Sequence, residues 1–82
     1  MIRNLYSIFD LKAQYHGNPF LETTDEVAMR TVISSMNADS LLAKHPEDFV
    51  LYRLGTYDDG SGEIVSEVEL LIQLTELIKV DE

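Results

Sequence analysis

The residues that come closest to a metal-binding loop lie in the segment 58–63, which reads Asp-Asp-Gly-Ser-Gly-Glu. Calcium loops hold their ion through oxygen ligands at fixed positions, with a glycine at the sixth position of twelve. If Gly62 takes the sixth position, the first and twelfth fall on Tyr57 and Val68, which offer no carboxylate. We therefore predict a hairpin turn here, in which glycine adopts positive φ and Asp58 accepts a hydrogen bond from nearby backbone.

The two histidines, His16 and His45, each lie beside a turn that contains proline. A zinc site would need further ligands from distant carboxylates, and the usual histidine spacings of zinc sites are missing. No serine lies in the G-x-S-x-G turn that presents a nucleophile, and no glycine-rich phosphate loop is present. We therefore expect no catalytic residues, no metal ion and no cofactor, and we predict that the protein is not an enzyme.

A set of aromatic and basic side chains on the strand-like segments suggests a third chemistry, the binding of single-stranded nucleic acid. Its members are Arg3, Tyr6, Lys12, Arg53 and Tyr57. Bases stack on aromatic rings that line a basic groove, so these residues are a candidate nucleic-acid face. The alternative is that the rings belong to the core and the hairpin, with basic side chains that extend past them into solvent.

Acidic charge is concentrated near the C-terminus. Residues 1–56 carry five basic and seven acidic groups, whereas residues 57–82 carry one basic and eight acidic groups. A field of this sign repels a phosphate backbone, so we expect DNA binding by the chain alone to be weak or absent. Two interpretations of the acidic part stay open: a solvated surface that maintains solubility, or a face that docks on a basic partner through Glu63, Glu67 and Glu69.

Three strands and one helix are predicted to position these residues. The strands, identified by their β-branched and aromatic content and by the hairpin turn, are predicted at residues 3–12, 49–57 and 62–67. A helix is predicted over 24–37, because Thr23 and Glu26 have the spacing of a capping box before an apolar stripe. The predicted fold is α+β, a small three-stranded antiparallel sheet with one main helix packed on a face.

The sequence also predicts which side chains meet in the core. The apolar stripe of the helix consists of Met29, Val32, Ile33 and Met36. Along the strand 49–57, the alternate set Val50, Tyr52, Leu54 and Thr56 lacks the charge of Arg53, so we predict that this set faces the core. Ile33 and Tyr52 are then expected to be in contact between helix and hairpin.

The chain of 82 residues is predicted to form a single domain, 1–82, with an acidic C-terminal segment at 67–82. Residues 14–22 are predicted as a loop and residues 41–44 as a short helical turn. In the C-terminal segment, alternation from Val68 to Leu74 is typical of a strand, while the spacing of Leu70, Leu74, Leu77 and Ile78 is typical of a helix. The composition favours a helix.

Several features bear on where the protein works. The chain has no cysteine, which fits a reducing cytoplasm. It has no apolar stretch long enough to span a membrane, and its first residues lack the apolar core of a signal peptide. We therefore expect a cytoplasmic protein with no membrane partner. A homodimer is one way for so small a core to gain buried area.

Four stretches of the chain resemble a known family, the small nonstructural protein of the gokushovirus branch of the microviruses. These phages are tailless and icosahedral, with single-stranded circular DNA. The most specific stretch is His45–Gly55, which reads His-Pro-Glu-Asp-Phe-Val-Leu-Tyr-Arg-Leu-Gly and is followed, after Thr56, by Tyr57, Asp58 and Asp59. The other three stretches are Tyr6–Asp10 with Lys12 and Ala13, Asn18–Phe20, and Asp25–Arg30.

The resemblance implies a protein that is made in the infected bacterium, is absent from the mature capsid and is not an enzyme. Such proteins are likened to the microvirus accessory protein that shifts DNA synthesis toward single-strand production and packaging, and some are labelled DNA-binding. Because the charge here disfavours DNA, we expect an adaptor in the host cytoplasm that contacts the viral replication initiator or a host replication protein. The alternatives are a weak single-stranded DNA binder and an acidic inhibitor of a host protein.

Overall fold

The computed structural model describes residues 1–37 and 39–81. This part of the chain contains five strands and three helices, with a short 3-10 turn before the fourth strand. The strands are β1 (Ile2–Asp10), β2 (Tyr15–His16), β3 (Phe20–Glu22), β4 (Phe49–Asp58) and β5 (Ile64–Gln73). The helices are α1 (Asp25–Ser35), α2 (Leu41–Lys44) and α3 (Leu74–Asp81), and the 3-10 turn is Pro46–Asp48.

All described strands belong to one antiparallel sheet of order β2-β1-β4-β5, in which β3 also pairs with β1. The prediction of a three-stranded sheet with one main helix is therefore wrong. Its three strands exist, but the predicted loop 14–22 contains β2 and β3, which return along β1 after the chain reverses at Gln14. Strands of two and three residues are too short to show a period-two pattern, so the sequence did not reveal them.

Helix α1 confirms the predicted helix to within two residues at its C-terminal end. Thr24, rather than Thr23, is the N-cap, and its hydroxyl oxygen accepts a hydrogen bond from the Val27 N–H. The predicted apolar stripe faces the core, with Val32 buried and the other three members packed against the buried residues. The short helical turn at 41–44 is confirmed as α2, capped by Ser40.

The core lies between one sheet face and the helices α1 and α3. Its buried members are Tyr6, Ala28, Val32, Phe49, Leu51, Leu74 and Leu77. The predicted core face of β4 is therefore wrong, because Phe49 and Leu51 face the helices while Tyr52 packs beside Phe9 and His16 instead. Of the predicted set, only Val50 is buried. Tyr52 belongs to the opposite sheet face and is not the predicted partner of Ile33. Arg53 made the true core face look polar, but its charge is paired within the fold.

The C-terminal segment contains both of the elements that its sequence suggested, in succession. Strand β5 runs to Gln73, well beyond the predicted limit at residue 67, and α3 follows without a loop. Leu74 and Leu77 anchor α3, since both side chains are fully buried in the core. Within the described residues, no helix is long and apolar enough to cross a membrane.

Gly55 allows β4 and β5 to approach each other in the middle of the sheet. Its φ is 150°, and a Cβ placed there would lie 2.0 Å from the Val65 carbonyl oxygen. The pairing of β4 with β5 shifts register beside it, between Arg53 and Gly55, as in a β-bulge. Any side chain at this position would therefore force the two strands apart.

Candidate functional site

A polar cluster joins the sheet to the first turn of α1 and is centred on Arg53 of β4. The Arg53 guanidinium donates to Asp25 Oδ2 of α1 at 2.6 Å and to Glu69 Oε2 of β5. Both Arg53 and Asp25 are half-buried, with side chains 28% and 29% exposed. The hydrogen bond that Arg53 donates to Asp25 raises the pKa of the guanidinium. We call Asn4, Tyr6, Asp25, Arg53 and Glu69 the Arg53 cluster.

Tyr6 contributes a buried hydroxyl to the Arg53 cluster. The residue is fully buried, and its hydroxyl donates to Asp25 Oδ1 at 2.7 Å while it accepts from Asn4 Nδ2 at 3.0 Å. Burial, together with the bond to Asp25, raises the pKa of Tyr6 to about 12. Both carboxylate oxygens of Asp25 therefore have a donor, one neutral and one charged. This arrangement holds the start of α1 against the sheet.

A second group of charges lies at the β4–β5 turn. The N-terminal ammonium of Met1 bonds to Asp59 Oδ1 at 2.8 Å, and Arg3 Nη2 lies 3.5 Å from Asp59 Oδ2. The hydrogen bond between the Met1 ammonium and Asp59 raises the pKa of the ammonium and lowers the pKa of the Asp59 carboxyl. Asp58 Oδ1 accepts from the Gly60 N–H at 2.9 Å, and Gly62 has a φ of 80°. The predicted hairpin turn is confirmed.

The structure does not bring the five predicted nucleic-acid residues together on one free face. Tyr6 is buried, and Arg53 is paired with two carboxylates. Arg3 pairs with Asp59 at the start of β1, whereas Lys12 lies in the turn beyond the other end of that strand. Tyr57 is half-buried in the wall of an open apolar cavity of about 360 Å³.

The predicted partner-binding glutamates lie together along the hairpin. Glu63 ends the turn, and Glu67 and Glu69 lie on β5. All three are exposed, but Glu69 is bound to Arg53. In the described part of the chain, neither Glu63 nor Glu67 forms an ion pair. Two of the three carboxylates are therefore free to meet a basic partner.

One contact between chemically active side chains was missed by the sequence reasoning. Ser7 Oγ lies 2.6 Å from His16 Nδ1, and the His16 ring packs on Phe9 and Tyr52 with centroids 4.7 and 5.2 Å away. A serine bonded to a histidine is the core of many nucleophilic sites. Ser7 is fully buried, however, so its oxygen has no exposed surface for a substrate to reach. Only the unpredicted pairing of β2 with β1 brings the two residues together.

The residues best placed to hold a metal ion are His45, Glu47 and Asp48. Their ligand atoms all lie within 4.8 Å of one another around the 3-10 turn, and His45 Nδ1 is 3.6 Å from Glu47 Oε1. One imidazole and two carboxylates suit a borderline cation such as Zn²⁺. Both carboxylates are close neighbours of His45 in the sequence, whereas a zinc site was predicted to need distant ones. The predicted absence of a metal stays a prediction.

The sequence matches a family model described as "Phage ORF5 protein" over residues 3–77, which covers nearly the whole sheet and reaches into α3. The chain belongs to the phage ORF5 protein family. No curated protein and no solved structure matches it. Membership in the phage ORF5 family confirms a phage protein, while the narrower gokushovirus assignment stays a prediction.

Proposed function

We propose that this phage ORF5 family member is a nonstructural accessory protein of viral DNA replication, single-strand synthesis and packaging. It acts in the host cytoplasm by contact with another protein, without enzymatic activity or a cofactor. The partner we propose is the viral replication initiator or a protein of the host replication machinery. The assignment to gokushovirus-type microviruses is part of this proposal and rests on the stretches quoted above.

One observation carries the choice of protein contact over DNA contact. Two of the three arginines, Arg3 and Arg53, are paired with carboxylates and are not available to bind a phosphate backbone. Lys79 likewise lies 3.7 Å from Glu76. The other basic residues are exposed but dispersed over the turn after β1, α1 and α2, namely Lys12, Arg30 and Lys44. Capture of a phosphate backbone needs clustered cations, and the net charge of −9 opposes it.

A second candidate, weak binding of single-stranded DNA, is supported by the aromatic group on the sheet face away from α1. Phe9, His16 and Tyr52 contact one another there, and His16 is exposed. Rings on a sheet can stack bases. None of these three residues belongs to the predicted nucleic-acid face of Arg3, Tyr6, Lys12, Arg53 and Tyr57. The acidic inhibitor of a host protein is a further form of the protein-contact proposal.

The two candidates are separated by fluorescence anisotropy with an unstructured oligonucleotide at low salt and at about 150 mM salt, the physiological regime. An adaptor should show little binding at the higher salt. Micromolar binding at that salt, lost in Tyr52→Ala and retained in Leu41→Ala, would contradict the adaptor proposal and favour the aromatic face. Both residues carry accessible side-chain surface, and Leu41 lies on α2, outside the strands that carry the aromatic group.

The positive test is recovery of partners from infected cells with a tagged copy, identified by mass spectrometry. The proposal expects a replication protein of the phage or of the host. Recovery of viral DNA alone, with no protein partner, would contradict it.

A further inference from the structure

The outer edge of β5 is the longest unpaired strand edge of the described sheet. The strand has ten residues, pairs with β4 alone and lies at the end of the strand order. Apart from the β4 ladder, none of the hydrogen bonds of the described residues involves its backbone. Such an edge presents a row of N–H and C=O groups on which another extended segment can pair.

The exposed apolar side chains of the protein are concentrated on this same strand. Every residue from 61 to 70 is exposed. The large apolar members are Ile64, Val65, Val68 and Leu70, with exposed fractions of 61, 52, 60 and 51%. Isolated apolar residues on a surface need no explanation, but four within seven positions flank this open edge, with Ile64 and Val65 on opposite faces of the sheet.

The charge of β5 specifies the chemistry of an occupant. Glu63, Glu67 and Glu69 lie in or just before the strand, and no basic residue occurs between Arg53 and Lys79. Two sheet rows give the positions of apolar residues: Tyr57 pairs with Ile64 and Tyr52 with Leu70. A strand added beside β5 would continue these two rows with apolar residues. It would place a basic residue near Glu67, which is exposed and forms no ion pair in the described part of the chain, because opposite charges on paired strands attract.

A second copy of this chain does not meet that requirement. Antiparallel self-pairing centred on Val68 would place Glu67 of one copy opposite Glu69 of the other, and like charges in that position repel. Each copy also has a net charge of −9, which opposes association further.

We infer that the β5 edge, Ile64–Leu70, binds an extended segment of a partner protein by strand addition, and that this segment alternates apolar residues with lysine or arginine. The inference rests on the proposed adaptor function and specifies how its partner is recognised. Main-chain hydrogen bonds supply the pairing, and the glutamates select a basic strand over an acidic one.

The test uses the full chain and a synthetic peptide of about ten residues that alternates valine and lysine, a length that matches β5. Amide NMR shifts on titration should be concentrated on residues 64–70. A peptide that alternates valine and glutamate should not bind. The valine–lysine peptide N-methylated at its central residues should not bind either, because it lacks the N–H groups for pairing.

Charge variants of the chain give a matched control. The double variant Glu63→Lys, Glu67→Lys should weaken binding of the valine–lysine peptide about fivefold or more, because a carboxylate in the edge and one beside it are replaced by cations that repel lysine. Asp39→Lys with Glu76→Lys changes the net charge equally on exposed residues elsewhere and should change affinity less than about twofold at physiological salt. Amide spectra of the free variants establish that each is folded.

Several results would overturn the inference. They are binding of the glutamate peptide, binding of the N-methylated peptide, shifts outside 64–70, and a concentration-dependent dimer that protects the β5 amides. An oligonucleotide that shifts these same amides would overturn it as well. If tagged protein captures a replication protein equally well with and without the Glu63 and Glu67 reversals, strand addition is wrong while the adaptor function stands. If no protein is captured at all, the proposed function itself fails.

Discussion

The Arg53 cluster is predicted to stabilise the fold rather than to bind DNA, and replacing Arg53 by methionine tests this. Methionine keeps the aliphatic length but removes the guanidinium. Among the described residues, this leaves Asp25 with the Tyr6 hydroxyl as its remaining side-chain donor. The free energy of unfolding should fall, because a half-buried carboxylate loses its charged partner. The change should be much larger than for an exposed ion pair.

The magnitude follows from the exposure of the pair. Exposed ion pairs contribute about 0–1 kcal/mol, whereas breaking a buried one costs about 3–5 kcal/mol. Arg53 and Asp25 lie between these limits, with side chains 28% and 29% exposed and a distance of 2.6 Å. We therefore expect Arg53→Met to lower the free energy of unfolding by about 1–3 kcal/mol. In a domain of this size that is a large fraction of the total.

The assay is urea unfolding followed by circular dichroism, in a double-mutant cycle with Asp25→Asn. Arg3→Met is the control, because Arg3 makes a longer ion pair at an exposed site. The cycle should show a coupling of about 1 kcal/mol or more between positions 25 and 53. The reasoning is refuted if Arg53→Met is no more destabilising than Arg3→Met, or if its effect is fully additive with Asp25→Asn.

Three further predictions concern the core and the sheet. Leu51→Ala should lower the free energy of unfolding by about 2–5 kcal/mol, because Leu51 is fully buried; a melting temperature within a degree of the parent would contradict the packing. Gly55→Ala should destabilise the fold by at least about 2 kcal/mol, because the new Cβ would overlap the backbone of Val65. Gly60→Ala, in the turn, is the control and should destabilise the fold much less. Equal effects of the two substitutions would contradict the bulge. The pKa of Tyr6 is raised to about 12 in the folded protein, so the protonated hydroxyl stabilises the fold. This contribution to the free energy of unfolding is complete below pH 10 and is lost as the pH rises toward 12. In urea unfolding at several pH values, the stability advantage over Tyr6→Phe should therefore shrink by up to about 2–3 kcal/mol above pH 10, and a constant advantage would contradict the buried hydroxyl.

The parts of the fold that could be predicted from the sequence have strong local signals. Helix α1 has a capping residue and an apolar stripe, and the β4–β5 turn has glycines and an aspartate that accepts a backbone hydrogen bond. Strands β2 and β3 have no such signal. Their pairing depends on β1, from which they are separated by a reversal at Gln14.

The core face of β4 was mispredicted because a charged residue was taken as a mark of the solvent face. Arg53 lies on the helix side of the sheet and is tolerated there because Asp25 and Glu69 neutralise it. Those partners are 28 and 16 residues away, so no local pattern could show them. Because of these long-range pairings, Arg53 is not available to bind nucleic acid and Glu69 is not a free carboxylate.

The most direct test of the account is photo-crosslinking from Val68 in infected cells. A photoreactive phenylalanine at this exposed position on β5 samples whatever binds there, and the same residue at Leu41, which is 65% exposed on α2, serves as the control. We predict crosslinks from position 68 to a basic extended segment of a replication protein. No crosslink to that protein is expected from position 41. Crosslinks from position 68 to DNA, or to a second copy of the chain alone, would contradict it.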